Sequence, residues 1–347
     1  MNDSRLELPV VMYEVTHRCN YACRYCYNDW KRWPASGEAA GDDAYARNLC
    51  TLKQLFRAAK VRQIGMTGGE PFLAERFAEL VLFCRMQGAA VSIISNGSDH
   101  RPYRLMRELG VTQLTLPLHA AAADVHDRMT GADGSWFRSL HAIRHQVALG
   151  GRVVASMILT AENWDQVAGV LRLCRDLGVG HVMINRFNIG GAGIREARRL
   201  LPAPDRLREA YATASRLGVR LGLTLSSNVG TPQCLIDPDH YPGVHFTGCS
   251  VDPLRRPLTL APDGDLRSCN HSPVVVGNIF TTAMAEILRN ARDRCSQQVV
   301  PDICAACHRY ALCLGGCRAA AEQVGLPVHA ADPVLNCLVM GSAATDV

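Results

Sequence analysis

The sequence predicts an α/β fold built on a parallel sheet, followed by a smaller cysteine-rich region. Three observations carry that expectation. Between about residue 10 and residue 227, short β-branched apolar runs alternate with longer stretches of helical periodicity. Those runs read as buried-type strands, as strands covered by helices on both faces do, and not as strands alternating apolar with polar. Beyond residue 228 the texture turns to Pro, Gly, Asp and Cys, too loop-rich to be held together by a core alone.

The elements follow in order. "VVMYEVT" (10–16) reads as the first strand and 42–59 as a helix. "VRQIGMTG" is the next strand, and "LAERFAELVLFCRMQG" a helix closed by Gly88. "AVSIISNG", "VTQLTLPL", "GRVVASMILT", "GHVMINRF" and "VRLGLTLS" continue the series, giving six or seven βα units. Such a sheet is either open or curled toward a barrel, and its ligands gather at the C-terminal strand ends. After 228, "LTLAPDGDLRSC" offers a hairpin around Asp263-Gly264, and one helix is expected over 281–295.

Composition narrows the class. With 48% hydrophobic and 20% charged residues, the 347-residue chain has the makeup of a globular protein large enough for one big domain or two. No apolar run approaches the ~20 residues that span a bilayer, and "MNDSRLELPV" lacks the apolar core of a secretory signal. A cytoplasmic location with no membrane contact is the expectation, and there fifteen cysteines point to metal and away from disulfides. The net charge of +5 is spread in short runs, so nucleic acid is not indicated.

"THRCNYACRYC" (16–26) crowds Cys19, Cys23 and Cys26 onto one loop after the first strand. A structural zinc site wants four ligands, and no fourth cysteine or closing histidine stands nearby; His17 reads as packing or surface. Three thiolates on a four-iron cluster leave one iron open to another ligand.

This C-x3-C-x2-C loop, with the aromatic Tyr25 before its last cysteine, resembles the signature of the radical S-adenosylmethionine (SAM) enzymes. The resemblance implies a partial (β/α)6, TIM-like barrel over residues 1–227. It also implies a [4Fe–4S] cluster whose open iron chelates the amino and carboxylate groups of SAM. One electron would then split SAM to a 5′-deoxyadenosyl radical that abstracts hydrogen from a substrate, the cofactors carrying the hard chemistry. "MTGGEPF" is similar to the family's GGE motif, which implies that Gly68, Gly69, Glu70 and Pro71 lie at the SAM amine; on their own they read as a strand-to-helix turn. Ser95 and Asn96 of "SNG" resemble the family's ribose- or carboxylate-contacting position. One stretch departs from the pattern: where relatives carry Ser-Leu-Asp-Gly, this chain has Pro117 and His119, with Thr130 near the place of an arginine and Arg128 as a substitute.

The C-terminal third carries Cys249-x14-Gly264-x4-Cys269, then Cys304-x2-Cys307-x5-Cys313-x3-Cys317, then Cys337. The spacing resembles the SPASM domain, here 228–347 with its linker, a small cysteine-rich α+β unit. Two auxiliary [4Fe–4S] clusters are implied, three clusters in all. By the family's interleaving, Cys304, Cys307, Cys313 and Cys337 hold the distal cluster. Cys249, Cys269 and Cys317 hold the proximal one, with Cys234 as the available fourth ligand. A pair of zinc knuckles is the alternative for these thiols. Cys50, Cys84, Cys174 and Cys295 fall in helical patterns and read as small buried hydrophobes.

Most two-cluster SPASM enzymes act on peptides, so the favoured function is radical modification of a ribosomally made peptide by cross-linking, epimerisation or excision. Radical oxidation or epimerisation of a small molecule, such as an amino sugar or cofactor precursor, is the second reading. The barrel's start near residue 10 favours it slightly, unless a separate peptide-binding partner protein serves the maturase. A non-catalytic electron-transfer protein is the third. The expected electron source is flavodoxin or ferredoxin. No residue declares itself as catalytic acid, base or hydrogen donor. Cys234 and Cys295 are candidate thiol donors, Asp263, Asp265 and His271 read as hairpin and loop residues, and the loop around Trp30 and Trp33 reads as a lid.

Overall fold

The structure, a computed structural model, describes residues 5–28, 41–250, 254–296 and 299–339, and the side chains of these apart from 295–296 and 337–339. Trp30 and Trp33, and the side chains of Cys295 and Cys337, lie outside what is described.

Among the described residues eleven strands form one sheet: β1 (Leu6–Glu14), β2 (Ala59–Thr67), β3 (Ala90–Ile94), β4 (Val111–Pro117), β5 (Arg152–Leu159), β6 (His181–Arg186), β7 (Thr224–Ser227), β8 (His245–Phe246), β9 (Leu258–Leu260), β10 (Asp265–Arg267) and β11 (Val275–Asn278). From β1 to β8 neighbours pair in parallel and in sequence order, and one or two helices separate most of the first seven strands. This is the βα series read from the sequence, and apolar side chains such as Val11, Ile64, Val91, Leu114, Ala155 and Val182 are buried along it.

Two boundaries differ from expectation. β1 begins at Leu6 and so includes Pro9, which has no N–H to donate. Pro9 is skipped in the register with β2, and β9 covers the other side of β1 only over Val11–Tyr13, so the strand there is an edge and tolerates proline. The run "VRLGLTLS" is part helix: Val219–Leu221 end the helix Pro204–Leu221, Gly222 caps it at φ 65°, and β7 starts at Thr224.

The expected break at 227/228 is not a break in the sheet. The C-terminal third adds β8 to β7 at one edge and β9 in parallel to β1 at the other, with β10 and β11 continuing antiparallel. Gly264, at φ 92°, turns the expected hairpin. The helix Asp42–Ala58 holds this hairpin down through Thr51 Oγ1 to the Pro262 carbonyl (2.8 Å) and Gln54 Nε2 to the Ile279 carbonyl (3.2 Å).

Two buried ion pairs tie the halves further: Arg267 of β10 with Glu14 of β1, and Arg186 at the end of β6 with Asp332. Asp332 is fully buried and also accepts from the backbone N–H of Cys317 (2.8 Å) and of Val334 (3.0 Å). Arg186 is satisfied in turn by the carbonyls of Phe187 and Gly230 and by Thr231 Oγ1. Removing one member of such a pair strands the other charge in a dry site, a loss on the order of 3–5 kcal/mol. Asp332→Ala should therefore lower the unfolding free energy obtained from denaturant titration by about 3–5 kcal/mol, while Asp99→Ala, at the exposed Arg101 pair, should leave it nearly unchanged.

Candidate active site

The loop after β1 and the turn after β2 are joined backbone to backbone. Val15 N–H donates to the Thr67 carbonyl (2.9 Å), Gly69 N–H to Thr16 (2.7 Å) and Glu70 N–H to Arg18 (2.8 Å). A Cβ on Gly69 would stand 1.9 Å from the Arg18 carbonyl oxygen, and one on Gly68 2.2 Å from that of Thr16. The glycines are therefore demanded by contact with the very loop that presents Cys19. Gly68 also lies at φ 136°, which side chains avoid.

On its far side the cysteine loop is held by Arg24. The guanidinium donates to both oxygens of Glu162 at 3.1 Å and to Glu196, and Arg24 N–H bonds the Met129 carbonyl at 3.0 Å. Between these anchors Cys19, Cys23 and Cys26 line a cavity of about 270 Å³ at the C-terminal strand ends. Tyr25, Gly68, Gly69, Ser95 and Asn96, all expected at the site, share its wall.

Glu70 and Pro71 do not line it. The Glu70 carboxylate is buried and accepts from Phe72 N–H (3.2 Å), Ser95 Oγ (2.9 Å) and Asn96 N–H (2.6 Å). It braces the β3 loop through Ser95 and Asn96 from outside the cavity wall. Arg128 likewise leaves the site, pairing with Asp124 (3.0 Å) one helical turn away, whereas His119 and Thr130 face the cavity. Tyr21, Ser156, Ile158, Met183, Asn185 and Asn270 complete much of the wall without having been singled out. For those on β5 and β6 the only sequence signal was position near a strand end.

The other cysteines form two further groups. Cys234, Cys304, Cys307 and Cys313 line a second cavity of about 470 Å³, where Gln233 N–H donates to Cys313 Sγ (3.3 Å). The sequence reading grouped Cys234 with Cys249, Cys269 and Cys317; in the structure it stands beside Cys313 and Cys307, because the segment after β7 runs past the Cys304–Cys313 loop. Cys249, Cys269 and Cys317 lie close enough to act on one another's charge. Each has a donor beside it: Arg256 at Cys249 (3.6 Å), His271 N–H at Cys269 (3.4 Å) and Asn188 Nδ2 at Cys317 (3.2 Å). Burial pushes the Cys317 thiol up to about 12. Cys84 and Cys174 are core residues as expected, whereas Cys50 is exposed.

Among the described residues no three His, Cys, Asp or Glu side chains converge as the ligands of one ion would. The thiols of the first group share one cavity wall. A four-iron cube takes each thiolate on a different iron. The donor set thus fits an iron–sulfur cluster.

Residues 13–174 match the model of the radical SAM superfamily. The chain carries a radical SAM domain. A PqqA peptide cyclase of Ruegeria pomeroyi is 25% identical over 340 residues, covering 94% of this chain and 87% of that protein. Two solved structures share the fold. SuiB of Streptococcus suis bound to its precursor peptide SuiA has a TM-score of 0.71 at 14% identity, over 94% of this chain and 76% of that one. The anSMEcpe protein with bound AdoMet and a peptide has a TM-score of 0.67 at 15% identity, over 91% and 90%.

The radical SAM domain thus depends on a turn that cannot carry a side chain. Gly69→Ala should push the cysteine loop away and cost about four irons per reconstituted chain, one cluster. Cys50→Ser should leave the iron and sulfide content unchanged.

Proposed function

We propose that this chain is a radical SAM peptide maturase that reductively cleaves SAM and abstracts hydrogen from a ribosomally made peptide. The observation that carries this reading is the three-thiol group on a strand-end loop, walled by the Gly68–Gly69 turn and by Ser95 and Asn96. Cluster and SAM, when bound, would supply the 5′-deoxyadenosyl radical.

The chain's residues would hold and shield those groups. Cys19, Cys23 and Cys26 would ligate three irons. The backbone of Gly68 and Gly69, half-buried on the cavity wall, would offer carbonyl acceptors for an ammonium group, and Ser95 and Asn96 on the same wall would bond hydroxyl or carboxylate oxygens. Glu70 and Arg24 would act by holding the walls in place. Tyr21, Tyr25 and Ile158 would exclude water from a reactive radical.

The remaining thiols support two auxiliary clusters in a SPASM domain over 228–347. Cys234, Cys304, Cys307 and Cys313 would serve one, with Cys337 in reserve on the helix Pro333–Val339, and Cys249, Cys269 and Cys317 the other. Three thiols there leave that cluster an iron without a cysteine from the described residues. Asn270 follows Cys269 directly and lines the first cavity, so the third group lies one residue from the SAM-facing wall.

Peptide as substrate draws support from the PqqA peptide cyclases and the peptide-bound relatives in fold. A cytoplasmic setting, a flavodoxin- or ferredoxin-type electron donor and a separate peptide-binding protein belong to the same reading. Among the described residues no helix is long and apolar enough to cross a membrane.

Anaerobically reconstituted protein given SAM and dithionite should form 5′-deoxyadenosine, and Cys23→Ala should reduce this at least a hundredfold. Where a short precursor peptide is encoded beside the gene, adding it should raise the yield and produce a peptide product, lighter by two hydrogens for a cross-link or carrying solvent deuterium for an epimer. Protein loaded with iron and sulfide that forms no 5′-deoxyadenosine would overturn the reading.

A further inference from the structure

A second glycine turn holds the cysteine loop at its exit. Tyr27, directly after Cys26, lies with its backbone against Gly191 in the loop after β6. A Cβ on Gly191 would stand 2.5 Å from the Tyr27 carbonyl carbon and 2.7 Å from the Cys26 carbonyl oxygen, and Gly191 itself sits at φ 50°. The Cys26 carbonyl also accepts from Gly193 N–H (3.4 Å).

One side chain of the C-terminal third closes this contact. Gln323, the last residue of the helix Arg318–Gln323, donates from Nε2 to the Tyr27 carbonyl (3.0 Å) and to the His271 carbonyl (2.8 Å). Its Oε1 accepts from Gly191 N–H (3.1 Å). Two carbonyls need donors and one N–H needs an acceptor, so the orientation of the amide is fixed. A carboxylate could not donate here, and a lysine or arginine could not accept.

The surroundings are equally constrained. Asn270 Nδ2 donates to the Tyr27 hydroxyl (3.0 Å), and His271 Nε2 to the Ile189 carbonyl (3.0 Å). The His271 ring rests on Tyr27 at a centroid distance of 4.8 Å, and a Cβ on Gly190 would stand 2.9 Å from that histidine ring. The exit of the cysteine loop, the turn after β6 and the stretch beside Cys269 thus meet on one amide.

We propose that Gln323 is a positioning residue for SAM cleavage: by holding the Tyr27 carbonyl it sets where Cys26 stands, so the C-terminal third orients the cluster held by Cys19, Cys23 and Cys26. A cube on three thiolates takes its orientation from them. Moving Cys26 would turn the open iron relative to the Gly68–Gly69 wall at the other end of the loop. The inference rests on the radical SAM reading above and deepens it by giving the C-terminal third a task in the first site.

The test uses reconstituted full-length protein. Gln323→Glu keeps the length of the side chain and the acceptor for Gly191, but it turns lone pairs on both carbonyls. Iron and sulfide content should match wild type, because every cysteine remains. With SAM and dithionite, kcat for 5′-deoxyadenosine should fall about tenfold while KM for SAM stays nearly unchanged, as expected when reacting groups are misplaced and binding is not. The electron paramagnetic resonance signal that responds to added SAM should change shape in the same variant. Gln323→Ala, whose gap admits water to the three backbone groups, should show the same changes more weakly, and it decides the matter if Gln323→Glu takes up no iron.

Wild-type kcat and an unaltered signal would overturn the proposal. Activity and iron lost in step, with an unaltered signal per iron, would overturn it too, because Gln323 would then only hold the fold together. Wild-type protein with no SAM-responsive signal would instead sink the radical SAM reading, and this inference with it.

Discussion

Everything in the site depends on two backbone segments lying closer than side chains allow. Thr16–Arg18, leading into Cys19, and Gly68–Glu70, leaving β2, exchange hydrogen bonds of 2.7 and 2.8 Å across a gap that would admit no Cβ. The in-register pairing of Tyr13 with Met66 and Glu14 with Thr67 brings the two strand ends level, so the contact follows from the sheet. One segment delivers thiols and the other delivers backbone carbonyls to a single cavity. Moving either by an ångström would separate the groups that must meet on one ligand, and misplacement on that scale is costly in catalysis.

The same logic of shared backbone extends to the C-terminal third. It is woven into both edges of the sheet and pinned by Arg186–Asp332 and Arg267–Glu14. Asp332 is the more telling pair member, because it binds the β6 arginine and the N–H of Cys317 at once. The third thiol group is thereby referenced to the barrel's own strand ends. The placement of the third group relative to the first is then set by a buried ion pair and a sheet, both stiff elements.

Much of this was legible beforehand, for identifiable reasons. Buried-type strands, helical periodicity and cysteine spacing are local patterns, and they located the βα series, the hairpin at Asp263-Gly264 and the three thiols of the first loop. What stayed hidden is tertiary. The family resemblance places Glu70 at the SAM amine, yet its carboxylate accepts from Phe72, Ser95 and Asn96 and does not line the cavity, which depends on where β3 ends. Cys234 could not be assigned from spacing, since its neighbours Cys304, Cys307 and Cys313 lie some seventy residues on and are reached only by folding. His119 was visible as an oddity. Its partners, the Tyr25 hydroxyl and the Ile158 N–H, are supplied by folding.

The central claim is that the Cys19, Cys23 and Cys26 cluster keeps one iron free beside the Gly68–Gly69 turn and that SAM binds there through its amine and carboxylate. Electron–nuclear double resonance on the reduced, reconstituted protein tests it most directly, with SAM carrying ¹⁵N in the amine or ¹⁷O in the carboxylate. The account predicts hyperfine coupling of the cluster to both labels, abolished in Cys23→Ser. A reducible cluster that couples to neither label, with SAM present in excess, would contradict it.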